Sequence, residues 1–163
     1  MTTNIELQQP QPFDLVGNHI LVAGQAVGFE GLVQVEVSDG HTVLSAVAGA
    51  GSLGKRQFQT FVDVPSEGTF QQSLVFVTVK DEGGGGEGSV PSVTIPVVYA
   101  NFFFETYLGF RDYTVQPGDT LSSIAAARLG DAALFTTLHL ANPHIIADPN
   151  VIFPGQVIRI PIE

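Results

Sequence analysis

Several groups of residues have types and spacings that chemistry could use. Gly49-Ala-Gly-Ser-Leu-Gly-Lys-Arg approaches the phosphate-cradling pattern G-x-x-x-x-G-K-[ST]. It misses twice. Arg56 stands where a magnesium-ligating hydroxyl is needed, and Gln57 to Val64 alternate as a strand where a helix N-terminus should receive phosphate. Nucleotide binding is not expected, and the segment reads as a loop between strands. The four histidines are His19, His41, His139 and His144. None has a helical i, i+4 partner or a cysteine neighbour, so no metal site is expected. A glycan hydrolase needs two carboxylates about 5–10 Å apart across a cleft. Asp119 and Asp148 are the pair that two converging loops would bring nearest, yet Asp119 is better explained as a turn or cap residue. No cysteine nucleophile and no Ser/His/Asp arrangement stands out. The chain is therefore read as a non-enzyme without a cofactor.

A second kind of chemistry, binding without reaction, is written near the C-terminus. Tyr113-Thr-Val-Gln-Pro-Gly-Asp-Thr-Leu-Ser-Ser-Ile-Ala is answered by Ala141-Asn-Pro-His-Ile and by Ile152-Phe-Pro-Gly-Gln-Val-Ile-Arg-Ile-Pro. The elements that must position these loops are a strand ending at Val115, two helices and a final strand. Gln116-Pro117-Gly118 is a turn, since Pro presets φ and Gly accepts a positive one. Asp119 or Thr120 caps the first helix, whose apolar face is Leu121, Ile124, Ala125 and Leu129. Gly130 stops it and Asp131 starts the next, lined by Leu134, Phe135 and Leu138. Asn142-Pro143 ends that helix, and Val157, Ile158 and Ile160 form the last strand, with Pro161 at its edge.

These stretches, YTVQPGDTLSSIA, ANPHI and DPNVIFPGQVIRIP, resemble a LysM domain over about 50 residues, with PGDTL, NP and PGQ in the family's order. The resemblance implies a non-catalytic module that binds N-acetylglucosamine polymers such as peptidoglycan or chitin. It implies a shallow groove between the loop after the first strand and the loop before the last. Carried over by position, one wall is Gly118, Asp119, Thr120 and Leu121. The other is Asn142, Pro143, His144 and Ile145. Backbone N–H and C=O groups would bond the N-acetyl groups, with Leu121 and Ile145 as an apolar floor. The expected partner is peptidoglycan, or a related N-acetylglucosamine polymer, at a cell wall or extracellular surface. A competing class is a structural subunit of a larger bacterial assembly, such as a phage-tail-like baseplate, a spore coat or a surface filament. There the same loops contact protein, either other copies of this chain or other subunits.

Composition narrows the partners. The 163 residues carry a formal net charge of −10. The six basic residues are scattered apart from Lys55-Arg56, which argues against nucleic acid and against an anionic bilayer. No apolar run reaches the roughly 20 residues of a membrane-spanning helix, so no membrane insertion is expected. With no cysteine, nothing fixes the redox compartment. The N-terminal Met-Thr-Thr-Asn-Ile-Glu has neither a basic nor an apolar signal region. Removal of a signal and synthesis without one both fit, which keeps a cytoplasmic or particle-associated location open.

The expected organisation is α+β: an all-β immunoglobulin-like sandwich followed by a small βααβ domain. Residues 1–12, with Gln8-Gln9-Pro10-Gln11-Pro12, read as a flexible arm. Residues 13–100 read as about seven short strands, six of them placed at an apolar run from Ile20 to Ala23 stopped by Gly24, then Val33 to Val37, His41 to Leu44, Phe58 to Val64, Leu74 to Val79 and Val93 to Tyr99. Ser66-Glu67-Gly68 reads as a turn and Gly83 to Gly86 as a flexible loop. Phe13-Asp-Leu-Val-Gly-Asn-His-Ile-Leu-Val-Ala-Gly-Gln-Ala-Val-Gly-Phe-Glu, with VQVEVSDGHTVL, resembles a Gmad-type immunoglobulin-like domain over roughly residues 5–100. Such domains occur in bacterial envelope and sporulation-associated proteins, and the resemblance implies no ligand. Residues 101–111 read as an apolar connection between the domains, with Phe102, Phe104, Tyr107 and Phe110 packing there. Residues 112–163 are the LysM-like domain.

Overall fold

Alternating valines build the first half of the chain. In β4 (Leu32–Ser38), Val33, Val35 and Val37 are buried, and in β7 (Leu74–Lys80) Val75, Val77 and Val79 are buried. The residues between them face the other way, as the two-residue period of a strand requires. The computed structural model describes residues 4–65, 69–81 and 90–163. The turn expected at Ser66-Glu67-Gly68 and the loop expected at Gly83 to Gly86 lie outside the described residues. The chain divides into two compact units, Met1–Tyr99 and Ala100–Glu163.

The first unit is a β-sandwich. Strands β1 (Ile5–Gln9), β3 (His19–Ala26) and β6 (Arg56–Asp63) form one sheet in the order β1-β3-β6. The other sheet runs β2-β8-β7-β4-β5, with β2 at Leu15–Val16, β5 at Val43–Gly49 and β8 at Ser92–Tyr99. Every pairing of these strands is antiparallel except β2 with β8, which is parallel. The core between the sheets contains Ile20, Val22, Phe58 and Phe70 together with the valines of β4 and β7. Each such buried side chain contributes about 1.5–3 kcal/mol of transfer free energy.

Two expectations for this unit need correction. Within the expected flexible arm at residues 1–12, Ile5–Gln9 is strand β1. Ile5 is buried against the core and pairs with Ala26, because Ile5 and Leu7 supply an apolar alternation that the flanking glutamines disguise. Nor does Gly24 stop a strand: β3 runs through it from His19 to Ala26. A Cβ on Gly24 would stand 2.1 Å from the Glu6 carbonyl oxygen, so its lack of a side chain is what lets β1 lie against β3. One buried carboxylate also holds the unit together. Asp39 accepts the backbone N–H groups of His41, Thr42 and Gln71, at 3.0, 2.8 and 2.6 Å. Burial alone would raise its pKa, but these bonds outweigh burial and hold it at about 2, against an ordinary 3.8.

The second unit has the order strand, helix, helix, strand. Its strands β9 (Gly109–Thr114) and β10 (Val157–Ile162) pair antiparallel from Gly109 with Ile162 to Thr114 with Val157. Helix α1 spans Leu121–Leu129, a 3-10 turn follows at Ala132–Leu134, and α2 spans Phe135–Leu140. Leu121, Ile124, Leu138, Ile146 and Ile158 meet in its core. The connection expected over residues 101–111 is shorter than that. Ala100–Phe102 is a 3-10 turn, and Gly109, Phe110 and Arg111 belong to β9. Phe110 has its ring 5.2 Å from the Arg159 guanidinium of the neighbouring strand, so it is used within this unit.

Candidate saccharide-binding site

The first loop of the site is rigid because its polar groups are spent on itself. Thr120 caps α1: its hydroxyl accepts the Ser123 N–H at 3.1 Å, and the Ser123 hydroxyl bonds the Thr120 N–H at 3.0 Å. This is a capping box with serine in the place usually held by Glu or Gln. Gly118, with φ of 89°, turns the chain into that cap, and Gly130, with φ of 83°, ends the helix. Asp119 faces back toward the strand. One carboxylate oxygen accepts both the Tyr113 hydroxyl and the Gln116 N–H, each at 2.8 Å. Its pKa is lowered, first by the Gln116 N–H and then by the Tyr113 hydroxyl. The same bond to Asp119 raises the pKa of Tyr113, whose ring lies 5.0 Å from the Arg128 guanidinium. An ionised carboxylate of this kind is unsuited to act as a general acid.

The second loop is tied to the first through the backbone. Val115 N–H donates to the Gln156 carbonyl at 2.9 Å, and Gly155 N–H donates to the Val115 carbonyl at 2.8 Å. Gln156 then braces its own loop, donating to the Ile145 carbonyl at 2.8 Å and accepting the Phe153 N–H at 3.1 Å. Asn142 is fully buried. Its amide nitrogen donates to the Leu138 and Arg159 carbonyls at 2.8 Å, and its oxygen accepts the Arg159 N–H at 2.7 Å.

A cleft of about 330 Å³ opens between these loops. Asp119, Thr120, Leu121 and Ser122 form one wall, Pro149, Asn150 and Ile152 the other, and Phe135 lies between. The candidate residues thus divide in an instructive way. Asp119, Thr120 and Leu121 line the cleft, whereas Gly118 shapes the turn behind it. Opposite them the cleft is lined by Pro149, Asn150 and Ile152, and by none of the expected Asn142, Pro143, His144 and Ile145. The Asn142 side chain is consumed as a clip between α2 and β10, Pro143 and His144 are exposed outside the lining, and Ile145 is half-buried against the core. The cleft also takes in Phe135, Pro149, Asn150 and Ile152, and Gln156 braces it, none of which the sequence reading placed in the groove. The proline and asparagine of Asp148-Pro149-Asn150 were the available signal, since Asx turns shape such loops. Asp148 accepts both the Asn150 N–H and its side-chain amide, at 2.9 and 3.0 Å, leaving the Asn150 amide oxygen as an acceptor.

The cleft combines two hydroxyls and an amide with the apolar surfaces of Leu121, Phe135 and Ile152. Among the described residues, no group of three or more His, Asp or Glu is placed to hold a metal ion.

Comparison with known proteins agrees with this division of the chain. The LysM domain family matches residues 113–161, and the immunoglobulin-like domain of bacterial spore germination, Gmad2, matches residues 4–85. A potassium binding protein, Kbp, from Escherichia coli O6:H1 is 47% identical over 51 residues, which are 31% of this chain and 34% of that protein. Esterase Rv1288 of Mycobacterium tuberculosis is 51% identical over 51 residues, 31% of this chain and 11% of the esterase. This chain therefore spans about a third of the first relative's length and about a tenth of the second's. No solved structure matches the chain.

Proposed function

The chain belongs to the family of the immunoglobulin-like domain of bacterial spore germination and carries a LysM domain behind it; from that premise we propose that it is a non-catalytic module that attaches the sandwich to an N-acetylglucosamine-containing glycan, peptidoglycan in the first place. A LysM domain supports carbohydrate binding at a cell wall or surface, and both matched domains are binding modules. The single observation that carries the assignment is the cleft between residues 119–122 and 149–152. An N-acetyl group is an amide with a methyl. It needs donors and acceptors beside an apolar patch, and Thr120, Ser122 and Asn150 beside Leu121, Phe135 and Ile152 supply that mixture. Enzymatic cleavage is disfavoured by the state of the nearby acids: Asp119 is held ionised, and Asp148 is engaged by Asn150.

A single site this open desolvates few groups, so affinity in the micromolar to millimolar range, roughly −8 to −4 kcal/mol, is expected. Retention on a wall then depends on many copies acting together. Titration of isotope-labelled protein with N-acetylglucosamine hexamer tests the proposal. Amide shifts at Thr120, Ser122, Asn150 and Ile152 are expected. Their absence at millimolar hexamer rejects glycan binding and leaves the loops for protein contacts.

A further inference from the structure

A second cleft, also of about 330 Å³, lies wholly within the sandwich unit, where β1 leaves its neighbour. Strand β6 pairs along the whole of β3, from His19 to Ala26, but β1 pairs only with Ala23–Ala26. A register shift between Leu7 and Gln9 turns β1 away, and Phe13 N–H then donates to the Pro96 carbonyl of the opposite sheet. The stretch of β3 left behind is about 13 Å long. The Val64 N–H donates to the Asn18 carbonyl, which sets the alternation: Asn18, Ile20 and Val22 turn their backbone groups to β6. His19 and Leu21 therefore turn theirs to the side β1 has vacated. Among the described residues no backbone group pairs with their two N–H and two C=O groups on that side, which form a short open strand edge, and His19, Ile20 and Leu21 line the cleft.

We propose that this cleft receives an extended peptide strand of a partner protein carrying Lys or Arg side chains, added to the open edge of β3. Strand addition uses backbone hydrogen bonds for affinity and alternate side-chain sites for choice of partner. The edge supplies up to four such bonds. Leu15 and Ile20 provide the buried apolar floor, and Gln9 an exposed amide at the rim. The charge is one-sided. Asp14 lines the cleft, Asp63 bonds the His19 imidazole at its margin, and no Lys or Arg is among the lining residues. The formal net charge of −10 draws the same kind of partner. A stacked pair, the His19 ring 4.1 Å from that of Phe61, stiffens the rim.

The test uses the full chain, isotope-labelled, and two acetylated octapeptides, one alternating Thr and Lys, the other Thr and Glu. The Thr–Lys peptide at millimolar concentration is expected to shift the His19 and Leu21 amides and slow their hydrogen exchange, while the Thr–Glu peptide leaves them unmoved. Asp14→Asn and His19→Lys should each weaken the Thr–Lys response by about threefold or more, with an unchanged melting temperature checking that each variant is folded. Equal responses to the two peptides, no response to either, or binding indifferent to both substitutions overturns the proposal. So does a shift of these amides by N-acetylglucosamine hexamer in place of peptide.

Discussion

Replacing Asn142 by Ala separates a residue that binds sugar from one that builds the binding site. The Asn142 side chain makes three hydrogen bonds of 2.7–2.8 Å in a fully buried position. Truncation leaves the Arg159 N–H and the Arg159 and Leu138 carbonyls without these partners. An orphaned buried polar group costs about 1–3 kcal/mol, so a total of about 3–5 kcal/mol is expected. A unit of this size is stable by only about 3–10 kcal/mol. The substitution should therefore remove much of its stability and lower its melting temperature by more than about 10 °C. Asn142→Asp should do no better. It keeps an acceptor for the Arg159 N–H but points a carboxylate at two carbonyl oxygens.

The assay is a urea titration followed by the amide signals of Leu138 and Ile158, which report on this unit alone. It is paired with hexamer binding at low temperature, where a folded fraction remains. Because Asn142 does not line the cleft, affinity corrected for that fraction should stay within about twofold of the parent. The reasoning fails if Asn142→Ala costs less than about 1 kcal/mol, since the three bonds would then carry no net stability. It also fails if the folded variant loses affinity tenfold, since the residue would then act on the ligand directly.

Ile152→Ala should weaken hexamer binding by about tenfold and lower the stability of this unit by only about 1–2 kcal/mol, because Ile152 is half-buried, packing against the core on one side and lining the cleft on the other. Isothermal titration beside denaturation distinguishes this from the Asn142 pattern. Asp39→Asn should cost about 2 kcal/mol at neutral pH, from the shift between 3.8 and about 2. A depressed folded pKa gives stability that is present above 3.8 and lost as pH falls through about 2, so the variant should also lose that part of its acid sensitivity in denaturation curves. Gly24→Ala places a methyl 2.1 Å from the Glu6 oxygen and should cost about 1–3 kcal/mol, seen as a lower melting temperature with fast hydrogen exchange in β1. An unchanged melting temperature counts against that close approach.

Much of the fold was legible because its signals are local. Valine alternation marks β4 and β7, and the Thr120 cap with the Gly130 stop marks α1 within a residue of its observed bounds. The failures came where a residue's role depends on a distant partner. Gln8-Gln9-Pro10 is polar and proline-flanked, and it looks like an arm until Ile5 is seen against Ala26. Gly24 looks like a breaker until β1 lies across it, after which it is the only residue type that fits.

The site obeys the same rule. Its first wall follows directly after strand β9 and is fixed by bonds within seven residues, Tyr113 to Asp119, so the resemblance needed only a short local stretch to point there. The second wall belongs to a sixteen-residue passage from Ala141 to Gln156 between α2 and β10, and any part of that passage could face the first. The LysM resemblance put Asn142 in that wall, but a buried amide beside backbone groups is worth more satisfied than exposed. Its clip to Arg159 fixes one end of the passage, and Gln156 fixes the other by holding Ile145 and Phe153. With both ends spoken for, Pro149, Asn150 and Ile152 between them line the cleft that we propose receives the ligand. The polar side chains of Asn142 and Gln156 thus hold the passage in place, and the cleft is lined by their neighbours.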